Sequence, residues 1–276
     1  MLIATEYEQV TRIQMSRFPD VKPPNCVSAY LVDGLLIDSG PAHTAEELAD
    51  FLKDKGVETL VNTHHHIDHI GANGLIKERY GAKLLAHPLA VDRIIQPATL
   101  IPWQEHIWGH PIRTQVQQIG DSVTTPHFRF EVMHTPGHTC DHICLFERSK
   151  GWLFSGDLFI TTRPTVVRIE ENQWQAIASL NRVKDLMPRV LFPAAGTKII
   201  TDPLPALEQT IQYLEDLGHK VTELSDKGLS PTEIRQWIFG DETPLVRSTQ
   251  HLVSSENLVK SYLKTGKPRN VIKTGA

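Results

Sequence analysis

The chain has 276 residues, 40% hydrophobic and 22% charged, which fits a globular protein with a sizeable core and room for an appendage. A net charge of −4 gives no overall pull toward nucleic acid, which argues against that class of partner. No apolar run approaches the ~20 residues of a membrane helix.

Residues 1–14 mix Glu6, Glu8 and Arg12 among apolar positions, unlike a secretory leader. The three cysteines, Cys26, Cys140 and Cys144, make neither a C-x-x-C pair nor an even framework, so a reduced, cytoplasmic protein is expected. The first predicted elements are strands over 27–32 and 35–38, joined at Asp33-Gly34, a hairpin signal. A helix is predicted over 44–55, with Leu48, Phe51 and Leu52 at helical spacing and Thr44 and Glu47 as a capping box. A strand over 57–61 follows and runs into Thr63-His64-His65-His66-Ile67-Asp68-His69-Ile70-Gly71. In an extended chain, side chains 64, 66 and 68 share one side, and His69 turns away as the chain bends toward Gly71. Four metal-competent groups therefore converge at a strand mouth, and imidazole with carboxylate suits zinc, iron or manganese. By parity His65 points away, as an outer partner or packing residue.

Beyond the cluster, a helix over 72–80 stops at Gly81, and a strand is expected over 83–86. Residues 92–113, with Trp103, Trp108, His106 and His110 among prolines, resist assignment. They read as a lid or pocket wall, or equally as a packed excursion or dimer contact. Short strands are expected within 123–146 and over 152–157, a helix over 172–186, and the last strand over 190–192. Within 139–146, Cys140, His142, Cys144 and Phe146 share a strand face, and the cysteines read as buried small apolar residues. From about 205 the chain reads as helices. Leu207, Ile211 and Leu214 lie on one face, and Ser230-Pro231-Thr232-Glu233 opens a capped helix ending at Gly240. One or two helices follow over 245–263. The basic residues Lys260, Lys264, Lys267, Arg269 and Lys273 read as a solvated face and tail. The expected division is residues 1–204 as a metal-binding domain and 205–276 as a helical C-terminal domain.

The histidine cluster resembles the H-x-H-x-D-H signature of the metallo-β-lactamase superfamily. Three more segments are similar to that family, in its order: 34–40 ending in Asp38-Ser39-Gly40, His134-Thr135-Pro136-Gly137-His138-Thr139, and Trp152-Leu153-Phe154-Ser155-Gly156-Asp157. The resemblance spans roughly residues 25 to 200. It implies an α/β (α+β) fold: an αββα sandwich with the metals at one edge. It implies a first metal site at His64, His66 and His138. Three protein ligands leave an open position, the mark of a catalytic metal. Asp68 and His69 would form a second site, with Asp157 bridging, Asp68 also orienting the attacking water, and Asp38 as an outer partner. One family position departs. Phe192-Pro193-Ala194-Ala195-Gly196 places Ala195 where relatives carry a histidine ligand, so the second site is weakened; His251 is a remote replacement.

Three functions are compatible. The first is a hydrolase using metal-activated water on an ester, thioester, lactone or related acyl bond. Its motifs are similar to glyoxalase II, although that family's late substrate-binding Tyr/His segment has no counterpart. The second is a mononuclear iron oxygenase of the persulfide dioxygenase type. The third is a non-catalytic binding protein on the same scaffold. One or two divalent ions, foremost zinc, are expected, with a small-molecule substrate, no nucleic acid, no membrane, and a homodimer left open.

Overall fold

The computed structural model describes residues 1–19, 25–195 and 198–264. Two sheets lie face to face between two layers of helices, the αββα sandwich that the motifs implied. The first sheet begins with a hairpin the sequence reading did not anticipate, β1 (Leu2–Tyr7) and β2 (Val10–Met15). β2 pairs antiparallel with β3 (Val27–Val32), which turns at Asp33 (φ 50°) and Gly34 (φ 83°) into β4 (Leu35–Ile37). Both turn residues are left-handed, as a two-residue hairpin turn requires. The sheet continues in parallel through β5 (Thr59–Asn62), β6 (Lys83–Ala86) and β7 (Gln117–Gln118).

Helices α1 (Ala45–Leu52), α2 (Ile67–Ile70) with α3 (Asn73–Tyr80), and α4 (Pro88–Ile95) with α5 (Pro102–Ile107) make the crossovers. Gly81 ends α3 in the left-handed conformation (φ 65°), as expected. The expected capping box at Thr44 is not formed. A 3₁₀ turn over Ala42–Thr44 directs the Thr44 hydroxyl to the Pro41 carbonyl instead.

The second sheet holds β8 (Ser122–Thr124), β9 (Arg129–His134), β10 (Ile143–Glu147) and β11 (Trp152–Gly156), all antiparallel. After the short β12 (Val167–Arg168), α6 (Gln173–Lys184) crosses over to β13 (Val190–Pro193), parallel to β11. β13 is not the last strand, contrary to expectation. β14 (Ile200–Thr201) pairs with it, and a later two-residue strand pairs with β12. Between the sheets, Tyr30 and Val61 meet Phe130, Leu145, Phe154 and Phe192. The Phe154 and Phe192 rings stack at 4.7 Å, and the Tyr30 hydroxyl donates to the Pro193 carbonyl at 2.7 Å.

The chain then forms α7 (Leu204–Asp226), α8 (Pro231–Phe239), α9 (Leu245–Ser248), β15 (Val253–Ser254) and α10 (Ser255–Leu263). Ser230 and Glu233 make the expected capping box on α8. Leu207, Ile211 and Leu214 of α7 are buried against α6 and the outer face of the second sheet. Of the basic C-terminal residues, Lys267, Arg269 and Lys273 lie outside the described residues. No helix among the described residues is long and apolar enough to cross a membrane.

We propose that the chain from residue 205 onward is a C-terminal domain, helical over its described part, that completes the core of the sandwich. Truncation after residue 204 uncovers the face of α6 against which α7 and α10 pack, where Ile177, Leu180 and Val183 share their apolar cluster, each a side chain whose burial contributes roughly 1.5–3 kcal/mol. That loss is comparable with the ~5–15 kcal/mol that holds a domain together. The truncated chain is expected to aggregate or to lose its cooperative melt. A monomeric product melting near the full chain's temperature, by gel filtration and circular dichroism, would contradict this.

Candidate metal centre

The chemistry-bearing residues collect where the parallel strands end. Asp38 follows β4, the histidine cluster follows β5, Asp157 follows β11, and Ala195 follows β13. The carboxyl ends of adjacent parallel strands, with loops diverging above them, form a natural crevice. The fourth contributor is the loop between β9 and β10, which carries His138. Gly137 in this loop (φ 147°) lies so close to α6 that a Cβ would sit 2.5 Å from the Ala176 backbone. Only glycine permits both that dihedral and that approach.

Residues 67–70 are a helical turn, not the extended segment expected from alternation. Tertiary ties set that turn: the His69 carbonyl accepts from the Ser39 amide (2.8 Å) and from Asn62 Nδ2 (3.0 Å). The turn still delivers Asp68 and His69 to the crevice.

Two groups of metal-competent atoms result, sharing His64: His64, His66 and His138, and His64, His69 and Asp157. In the first, His66 Nδ1 lies 2.9 Å from His64 Nε2 and 3.0 Å from His138 Nε2. One ring proton can satisfy only one of these contacts, so lone pairs face each other, an arrangement a cation resolves. Burial drives the His64 and His66 imidazoles well below their ordinary pKa, which keeps them neutral as metal ligands must be. Burial also lowers His138, but Glu171, 3.3 Å from its Nδ1, and Asp157 together outweigh that and raise it.

In the second group, His69 Nδ1 meets Asp38 Oδ2 at 2.8 Å, leaving Nε2 pointing into the crevice with no hydrogen-bond partner among the described residues. Burial would lower the His69 pKa, but Asp38, Asp157 and Asp68 together raise it well above the ordinary value. A divalent cation would compete with that proton for the same lone pair. Asp157 Oδ2 stands 3.6 Å from both His69 Nε2 and His138 Nε2, midway between the groups. Burial would raise its carboxyl, yet His69 and His138 hold it well below the usual range. Asp68 Oδ1 and Asp157 Oδ1 are also buried without hydrogen-bond partners among the described residues. Three buried, unpaired ligand atoms on neighbouring side chains fit a bound cation, since buried polar groups are otherwise paired.

The supporting shell is only partly legible in the sequence. Asp38, buried and left-handed (φ 61°), accepts from the Thr63 amide (2.7 Å) and hydroxyl (2.8 Å) as well as contacting His69. It therefore orients the His69 ring. His65 does point away, its Nδ1 2.8 Å from Asp141 Oδ1. Glu170, Glu171, Asp141 and His142 were missed as site residues. Glu170 Oε1 lies 2.9 Å from His66 Nε2 and is itself held by Arg168. His142 Nε2 accepts from the Asp157 amide (3.1 Å), and burial pushes the His142 imidazole down to about 3. Nothing in the stretch 168–172 distinguishes these acids from an ordinary helix approach. The buried reading of Cys140 is corrected: it is exposed, because the strand starts only at Ile143, whereas Cys144 is buried. His251 is exposed before β15 and belongs to neither metal-competent group among the described residues.

Asp38→Asn is expected to weaken metal at His69, about 10–100-fold by the scale of lost outer partners. An asparagine that keeps its oxygen toward the Thr63 amide turns its N–H toward both the Thr63 hydroxyl and His69 Nδ1, forcing the ring proton onto Nε2. Chelator competition checks this; unchanged retention of every bound metal would contradict it.

An αββα sandwich with paired histidine–aspartate groups at the strand ends defines a class of metal-site proteins. A family model of the metallo-beta-lactamase superfamily matches residues 24–195, more than half of the chain, and the protein belongs to that superfamily. The chain is 32% identical over 115 residues to a hydroxyacylglutathione hydrolase of Pelagibacter ubique, covering 41% of each chain. It is 29% identical over 187 residues to a beta-lactamase-like protein 2 homolog of Drosophila melanogaster, covering 65% of this chain and 60% of that one. It thus spans less than two thirds of these relatives' length. Among solved structures, a metallo-beta-lactamase family protein from Thermus thermophilus superposes with a TM-score of 0.64 at 20% identity, over 91% of both chains. A beta-lactamase domain protein from Burkholderia ambifaria gives 0.69 at 17% identity, over 94% of this chain and 87% of that one.

Proposed function

We propose that the protein is a metal-dependent hydrolase of an acyl bond: an ester, thioester or lactone. The observation that carries this is the pair of ligand groups sharing His64, with Asp157 between them and the unpaired Asp68 carboxylate alongside. His64, His66 and His138 would hold the first ion; His69, Asp68 and Asp157 would hold a second, with Asp157 bridging. One or two divalent cations, foremost zinc, would supply a Lewis acid and lower the pKa of coordinated water toward ~7. Asp68 orients the attacking water and accepts its hydrogen. Glu170 and Asp38 fix the rings of His66 and His69 in the tautomers that face the crevice. Water adds its oxygen to the acyl carbon, the bond to the alcohol or thiol breaks, and the leaving group takes up a proton. The named activity of the Pelagibacter relative, a hydroxyacylglutathione hydrolase, supports thioester chemistry.

The test uses full-length protein reconstituted separately with zinc, manganese and iron, and a panel of esters, thioesters, lactones and phosphodiesters. Hydrolysis confined to the acyl substrates, abolished by chelator and restored by metal, is expected. Metal-loaded protein that cleaves no acyl bond, or iron-loaded protein that consumes oxygen instead, would overturn the reading.

A further inference from the structure

Two spaces meet at the candidate site, both with apolar walls, the second carrying more polar side chains. One is a cavity of about 230 Å³ with Asp68, His138 and Asp157 in its wall. Its other walls are largely apolar: Trp103 and Trp108 from the segment 92–113, Val27 from β3, Val167 from β12, and Leu245 and Val253 from the C-terminal helical region. Trp103 and Trp108 stand edge to face at 6.3 Å, and Trp108 is buried with Ile67 and Leu100, so this wall is fixed by its own packing. Ile160 lines the same cavity and is 45% exposed. The other space, about 400 Å³, opens beside His65 and His66 and is lined by Arg93, Gln96, Gln104, Arg168 and Glu170 as well as apolar residues. Arg168 lines both, and so stands where they join.

We propose that the substrate's acyl group is an apolar chain or ring seated in the tryptophan-walled cavity, with the polar leaving group directed to the Arg93–Arg168 side. The proposal rests on the acyl-hydrolase reading. A short or hydroxylated acyl group would leave the indole and aliphatic walls uncovered and its own hydroxyls unpaired. Among the described residues, the only charged groups in that cavity besides the metal-facing ones are Arg168 and Glu171. An apolar acyl group instead displaces poorly bound water from those walls. The leaving group, when it is a thiol or alcohol on a charged carrier, meets on the other side two guanidinium groups each already set against a carboxylate, Arg93 against Asp141 (3.6 Å) and Arg168 against Glu170 (3.2 Å). Specificity is thereby divided: Trp103 and Trp108 with Leu245 and Val253 read the acyl side, and Arg93, Gln96 and Gln104 with Arg168 read the leaving side.

Two ester series test this on zinc-loaded full-length protein. In one, the leaving group is constant and the acyl chain lengthens from acetyl to octanoyl. In the other, the acyl group stays acetyl and the alcohol lengthens. Each methylene on the acyl side is expected to raise kcat/KM roughly threefold to fourfold until the cavity is full, with little change along the alcohol series. Binding of the free carboxylates, acetate to octanoate, measured by calorimetry, should follow the same gradient without turnover. Leu245→Asp and Ile160→Asp, both at partly exposed positions, should flatten the acyl gradient in rate and in binding. A flat or falling acyl series in an enzyme that does hydrolyse esters would overturn the assignment and leave the hydrolase reading standing. A gradient on the alcohol side alone would overturn the direction of binding. Absence of all acyl hydrolysis would remove the hydrolase reading and this inference together, even if octanoate binds.

Discussion

Replacing His66 by alanine is expected to remove most of the bound metal and to lower turnover by well over about a hundredfold, beyond the range that lost outer partners produce. His66 Nδ1 is the atom that both His64 Nε2 and His138 Nε2 approach, so its loss opens the centre of the first group rather than its rim. The fold should survive. His66 borders solvent through the cavity shared with Glu170, and the hydrogen bond it gives up is to a carboxylate that Arg168 still holds. The change therefore separates chemistry from folding. Elemental analysis after gel filtration, beside a thermal melt, checks it. A variant with full metal content and full rate would remove the basis of the whole functional reading.

The metal groups were legible because six consecutive residues, 64–69, hold four of the six candidate ligands, and because His138 and Asp157 end short, recognisable segments. What local pattern could not show is how those ligands are held. The α2 turn has only four residues and exists because Ser39 and Asn62 bind the His69 carbonyl, contacts from chain segments 30 and 7 residues away. The β1–β2 hairpin was missed because β1 is mostly exposed on both faces, so the alternation that marks a half-buried strand is absent. The two-residue strands β14 and β15 are too short to carry any period. Thr44 had the residues of a cap, but the preceding 3₁₀ turn took its hydroxyl.

The segment 92–113 was ambiguous for a different reason. Its tryptophans read equally as wall or as packing, and the structure makes them both: Trp108 is buried among apolar neighbours and still borders the site cavity. The same holds for the C-terminal helical region. Its apolar periodicity revealed helices, but Val253 reaches the site through the pairing of β15 with β12, a contact between residues more than eighty positions apart. Candidate ligands came from contiguous motifs, whereas the residues we assign to substrate recognition came from tertiary meetings of ordinary sequence.

Ala195→His is expected to raise affinity for a second metal by at least about tenfold, since direct ligands contribute more than the outer partners whose loss costs 10–100-fold. Ala195 lines the same cavity as Asp68 and Asp157, and the Ser28 amide fixes its neighbour by donating to the Ala194 carbonyl at 2.8 Å. The position is therefore held close to the second group on a backbone already tied to β3. Among the described residues, His69, Asp68 and Asp157 offer three ligands there, and alanine adds none. The unmodified protein should accordingly hold fewer than two metals per chain after mild chelation, and the histidine variant should retain more. Stoichiometry against a graded chelator series, read by elemental analysis, decides it. Two tightly held metals in the unmodified chain would mean that another residue completes the second site, and His251 would be the first replacement to test, despite its exposure outside both groups.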